Sequence, residues 1–159
     1  MYRILKEAWR LGKVGASAPH QKSAGLFAHS ATIRHVDAGS CNGCELEIQA
    51  LNGPHYGLEQ AGLRFTASPR HADVLLVTGP VSRHMAAALQ DTYDAMAHPK
   101  KVLALGDCAC TGGVFKASYA VVGPAETILP VQGRCPGCPP KPEQILEALA
   151  ALCNDQVDS

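Results

Sequence analysis

The sequence predicts an α/β domain built on an open, mostly parallel sheet. Two short continuous apolar runs, VLLVT at 74–78 and VLAL at 102–105, have the length and composition of strands buried on both faces. Helical periodicity fills the stretches at 82–97 and 142–152, and alternation of strand with helix is the pattern of parallel pairing. The chain has 159 residues, 47% hydrophobic and 18% charged, which suffices for one core without disulfides or metal and excludes a disordered or fibrous segment.

In chain order, residues 1–14 put Ile4, Leu5, Ala8, Trp9 and Leu11 on one stripe, with Arg3, Lys6, Arg10 and Lys13 mostly beside it. This is a short basic amphipathic helix, read either as an ordinary helix packed on the domain or, by slight preference, as a docking element with Trp9 as its anchor. Residues 15–30 are rich in Gly, Ala, Ser, Pro and His and read as a surface linker. Residues 31–153 then form the α/β domain, and 154–159 a tail. Within it, 32–36 is a strand, and 45–52 a helix stopped by Gly53 and Pro54. The helix over 82–97 has Ser82 as its cap and Pro99 past its end. A further strand is expected at 128–131, and Pro142 opens the last helix.

Lys plus Arg equals Asp plus Glu at 14 each, and aromatic residues make up 5%, so a nucleic-acid binder is not expected. The balance is uneven: residues 1–36 hold six bases and one acid. No run reaches the ~20 apolar residues of a membrane span, and the N-terminus lacks the pattern of a signal peptide. The expected compartment is the cytoplasm, where seven cysteines, an odd number, point to ligands or redox groups rather than a disulfide framework.

Six of the seven follow predicted strands in three loops: Cys41 and Cys44, Cys108 and Cys110, Cys135 and Cys138. In open α/β sheets reactive groups collect at the carboxyl ends of strands, so the three loops can converge on one edge. In Cys41-Asn-Gly-Cys44, Gly43 is expected to let the backbone bend so that both sulfurs face one centre. Two C-x-x-C pairs are enough for a structural zinc ion, and one alone for a thioredoxin-like redox pair. Either would leave a cysteine loop idle, whereas an iron–sulfur cluster draws on all three. The step from Cys138 to Pro139 is also like the Cys-Pro that ends a bacterial ferredoxin ligand run.

Four motifs, SCNGCELEI at 40–48, SPRHAD at 68–73 followed by VLLVTGPV, GDCA at 106–109 with Gly112 and Gly113, and PGCPPKPE at 136–143, resemble the small subunit of membrane-bound NiFe hydrogenases of the formate hydrogenlyase, energy-converting and CO-induced type. That family is related to the cluster-bearing small subunit of respiratory complex I. The resemblance spans residues 31–150. It implies a flavodoxin-like sheet with helices on both faces, and one 4Fe-4S cluster ligated by Cys41, Cys44, Cys108 and Cys138. It also implies an electron-transfer role without catalytic residues of its own. The implied partners are a hydrogenase large subunit, a ferredoxin-like iron–sulfur subunit and integral membrane subunits, with the chain peripheral on the cytoplasmic face of the inner membrane. The spaced Cys41–Cys44 pair departs from the complex I subunit, whose first two ligands are adjacent; a complex I-like module serving quinone is the alternative. Cys110, Cys135 and Cys153 match no family ligand, and Cys153 reads as a packing residue. Glu47 is a candidate for proton transfer or partner contact, though a solvated helix face is its more ordinary place, and Arg70 and His71 are candidates for the subunit contact. Gly106, Gly112 and Gly113 are expected to let backbone amides approach cluster sulfurs.

Overall fold

The computed structural model describes residues 30–154; the helix expected at 1–14, the linker through 29 and the tail from 155 lie outside the described residues. Strands β1 (Ala31–Asp37), β2 (Leu63–Phe65), β3 (Val74–Thr78), β5 (Lys101–Leu105) and β7 (Gly133–Cys135) form one parallel sheet in the order β2-β1-β3-β5-β7. β4 (Val81–Ser82) and β6 (Val121–Gly123) pair antiparallel as a separate ribbon. The helices are α1 (Gly43–Leu51), α2 (Ala86–Asp94), α3 (Gly106–Thr111) and α4 (Pro142–Asn154). Counted along the main sheet alone, the order is the doubly wound, flavodoxin-like 2-1-3-4-5 arrangement, whose switch point falls between β1 and β3.

Period-two alternation along the strands sorts the apolar side chains into two cores. Ile33, Leu76, Leu103 and Leu105 meet Ile48 and Leu51 of α1 and Ile145 and Leu149 of α4 on one face. Leu75, Val77, Val102 and Ala104 meet Leu89 of α2 and Ala109 of α3 on the other. Helices on both faces follow, and every residue of β3 and β5 is buried, as their unbroken apolar runs require. Leu76 is fully buried, so Leu76→Ala is expected to cost about 2–5 kcal/mol, read as a lowered midpoint in denaturant unfolding at unchanged slope.

Several elements differ from expectation. The last sheet strand is β7, not 128–131. Pro130 lacks a backbone donor, and the chain there follows a 3-10 turn at Ala125–Thr127 before pairing begins at Gly133. α2 starts at Ala86, not 82, because Ser82 is drawn into β4; its Oγ nonetheless accepts the Met85 N–H at 3.3 Å. The Cys108 loop is a short helix, α3, directly following β5. The final helix runs two residues past its expected end, taking in Asn154.

Candidate metal centre

The register of the sheet brings four strand ends level: Asp37 pairs with Thr78, Thr78 with Leu105, and Leu105 with Cys135. The cysteine loops leave from this line. Cys41 and Cys44 follow β1, Cys108 lies in the first turn of α3 after β5, and Cys138 follows β7. β3 contributes no cysteine, and its neighbours on either side do.

Local chemistry shapes each loop. The Asp37 carboxylate accepts the N–H groups of Gly39 and Ser40 through Oδ1 at 2.8 and 2.7 Å, the Asx-type turn such a residue favours. Burial pushes this carboxyl upward, but the backbone donors of Ser40 and Gly39 and the Ser40 side chain outweigh it and hold it below the usual range. The left-handed residue of the C-x-x-C turn is Asn42, at φ 70°, rather than the expected Gly43; Asn tolerates that region better than most side chains. Gly106 and Gly113 do require glycine. At φ 85° Gly106 faces Cys44, and a Cβ there would lie 2.7 Å from the Cys44 Sγ. At Gly113, φ 53°, a Cβ would lie 2.9 Å from the Cys108 Sγ.

The four thiols Cys41, Cys44, Cys108 and Cys138 act on one another. Burial first, then the Glu45 carboxylate and the thiolates of Cys41, Cys108 and Cys138, push Cys44 up to about 12. Burial, followed by Cys138 and Cys41, also pushes Cys108 upward. A metal centre binding here therefore displaces protons. Among the described residues, no three Cys, His, Asp or Glu side chains gather closely enough to hold a single metal ion.

Cys110, Cys135 and Cys153 are buried in the cores. The Cys110 thiol donates to the Ala104 carbonyl at 3.4 Å and the Cys135 thiol to the Gln144 carbonyl at 3.7 Å. Cys153 packs beside Leu149 and Leu152 in the core under α4. Arg70 and His71 are exposed in a 3-10 turn leading into β3, and Glu47 is half-buried.

The more enclosed acid is Glu45, which motif reading passed over. It is buried beside Cys44, and among the described residues neither carboxylate oxygen has a hydrogen-bond partner. His35 Nε2 lies 3.7 Å from its Oε1, ion-pair range but beyond hydrogen-bond length, and 2.9 Å from the Thr78 Oγ1. Burial lowers the His35 pKa against the opposing pull of Glu45 and Asp37. His35 also lines an open cavity of about 340 Å³ with Arg34, Ile48, Asn52, Phe65 and Thr66. The signal for Glu45 was in the helix period, since Glu45, Ile48 and Leu51 form the buried stripe of α1.

Comparison with known proteins places the chain in a family. Residues 41–152 match the family described as NADH ubiquinone oxidoreductase, 20 Kd subunit. A probable membrane-bound hydrogenase subunit of Pyrococcus furiosus is 44% identical over 124 residues, 78% of this chain and 74% of that protein. A subunit of the NADH-quinone oxidoreductase of Thermobifida fusca is 44% identical over 117 residues, covering 73% of this chain and 62% of its own length. A chain in the structure of an archaeal respiratory membrane complex, the membrane-bound sulfane sulfur reductase, superposes with a TM-score of 0.70 at 30% identity over 80% of this chain and 70% of that one. A chain of an NAD+-reducing NiFe hydrogenase has the same fold, with a TM-score of 0.60 at 20% identity over 77% of this chain and 92% of its own. The chain belongs to the family of the NADH ubiquinone oxidoreductase 20 kDa subunit, which takes in subunits of membrane-bound hydrogenase and quinone-reducing oxidoreductase complexes.

Proposed function

We propose that this chain is the electron-transfer subunit of a membrane-associated hydrogenase complex and holds one 4Fe-4S cluster through Cys41, Cys44, Cys108 and Cys138. The observation that carries the reading is that the three loops bearing these four cysteines leave the sheet from one level line of strand ends. The residues fit such a group. Four thiolates are its usual ligand set, and Gly106 and Gly113 leave open the space beside two of the sulfurs that a Cβ would fill.

When bound, the cluster accepts and returns single electrons; everything else is done by the chain. Asp37 and Asn42 fold the Cys41–Cys44 turn, and β5 and β7 bring Cys108 and Cys138 beside it. Cys135 and Cys110 are occupied in the core, which supports Cys138 as the ligand of its loop. Leu46, Val114 and Phe115 are exposed apolar residues flanking these loops. We assign them to the contact with a hydrogenase large subunit, with a ferredoxin-like iron–sulfur subunit as the second electron partner. No helix among the described residues is long and apolar enough to cross a membrane; attachment at the cytoplasmic face of the inner membrane is assigned to integral partners and the basic residues 1–14.

The spaced pair Cys41 and Cys44 and the similarity to the Pyrococcus hydrogenase subunit favour hydrogenase over a complex I-like module serving quinone, which the similarity to the Thermobifida NADH-quinone oxidoreductase keeps as the second reading. Anaerobically purified chain is expected to contain about four irons and as many sulfides with a broad, reducible visible absorption; stoichiometric zinc without sulfide would overturn the cluster. Hydrogen-dependent dye reduction that requires both this chain and its large subunit supports the hydrogenase reading. Quinone reduction by the complex without hydrogen turnover supports the other.

A further inference from the structure

The backbone ladder between β5 and β7 ends at Leu105 opposite Cys135. Two residues further on, the two chain segments are tied again by a reciprocal pair of hydrogen bonds. The Asp107 N–H donates to the Gly137 carbonyl at 2.9 Å, and the Gly137 N–H donates to the Asp107 Oδ1 at 2.8 Å. A carboxylate oxygen thus stands where a continuing strand would present a peptide carbonyl. The backbone carbonyl of Asp107 is not free for this, because the chain has already turned into α3, where that carbonyl accepts the Thr111 hydroxyl at 2.9 Å.

The two residues joined in this way immediately precede Cys108 and Cys138. One hydrogen bond between two loops sets their distance and leaves rotation about it; a second, antiparallel to the first, sets their orientation. We propose that Asp107 is a positioning residue that clamps the Cys108 loop to the Cys138 loop, so that their two thiols are presented to the cluster in a fixed relation. The proposal rests on the cluster assigned under Proposed function. Asp107 touches neither the iron nor the reaction; it acts through Gly137. A simpler role for an acid in the first turn of a short helix is to complement the helix dipole, and that role depends on charge alone.

Asn and Ala separate the two roles. Asp107→Asn removes the charge and keeps an Oδ1 that accepts the Gly137 N–H, whereas Asp107→Ala and Asp107→Ser remove an acceptor of that reach. Full-length chains are purified anaerobically and compared in iron and sulfide content, rate of iron loss to a chelator, and the electron paramagnetic resonance spectrum of the reduced cluster, with circular dichroism to confirm folding. The Ala and Ser variants are expected to lose iron about tenfold faster than the unsubstituted chain, the scale seen when an outer partner of a metal ligand is removed, and to show shifted resonances. The Asn variant is expected to match the unsubstituted chain in both. Ser stands in for Ala should Ala not fold. Equal behaviour of Asn and Ala, or retention of iron and spectrum in Ala and Ser, overturns the clamp while leaving the cluster assignment intact. An unsubstituted chain without iron and sulfide overturns both.

Discussion

Cys138→Ser is expected to strip most of the iron from the purified chain, whereas Cys135→Ser leaves its iron content and visible spectrum unchanged. The two cysteines share one short loop, and their surroundings divide their roles. Cys135 is the last residue of β7, is 4% exposed and its thiol donates a hydrogen bond to the Gln144 carbonyl. Serine there loses little. Cys138 is exposed, and its charge contributes to the upward push on the Cys44 and Cys108 thiols. Loss of a direct thiolate should exceed the roughly 10–100-fold weakening that follows loss of an outer partner. Iron analysis and absorption after anaerobic purification decide the matter, and the opposite ranking would move the fourth ligand to Cys135.

Gly106→Ala should be as damaging, without touching any ligand. An L-residue in the left-handed region costs about 1–2 kcal/mol, and here the new methyl would also sit against the Cys44 sulfur and the Gly137 carbonyl, at 2.7 and 3.4 Å. Cys44 must move or β5 must end differently, and either misplaces a thiol. The expected result is a folded chain with a lowered melting temperature and little bound iron. Gly43→Ala is the matched control. Its Cβ would meet the Cys41 Sγ at 3.6 Å, an ordinary contact, and Gly43 is not among the left-handed residues. Iron retention in Gly106→Ala equal to that in Gly43→Ala would remove the steric argument.

Some of this was legible in the sequence because burial on both faces writes itself into composition. VLLVT and VLAL could hardly be anything but central strands, and β3 and β5 sit where they predict. The edges were not legible for the complementary reason. β2 is three residues, Leu63-Arg64-Phe65, and β7 is Gly133-Arg134-Cys135; neither carries an apolar run, and Gly133 is small because a Cβ would meet the Leu103 Cδ1 at 2.8 Å. The three cysteine loops stood out from their spacing alone. For the bend between Cys41 and Cys44 the sequence points to Gly43, because glycine is the stronger prior for a left-handed turn, yet Asn42 is the residue that makes it. Asp107 had no local signal at all. Its partner lies thirty residues away, and only the register of β5 with β7 brings them together.

The order of strands in the sheet also dictates when the centre can come into being. Among the described residues, β7 is the last sheet strand and lies at the edge, paired with β5 through three register pairs. Synthesis proceeds from the N-terminus, so β1, β3 and β5 can assemble, with Cys41, Cys44 and Cys108 already at their places, before Cys138 has a strand to stand on. A nascent or truncated chain lacking β7 presents three thiols and no fourth. With the proposed ligand set, a complete thiol set for the cluster would therefore have to await the docking of this one strand.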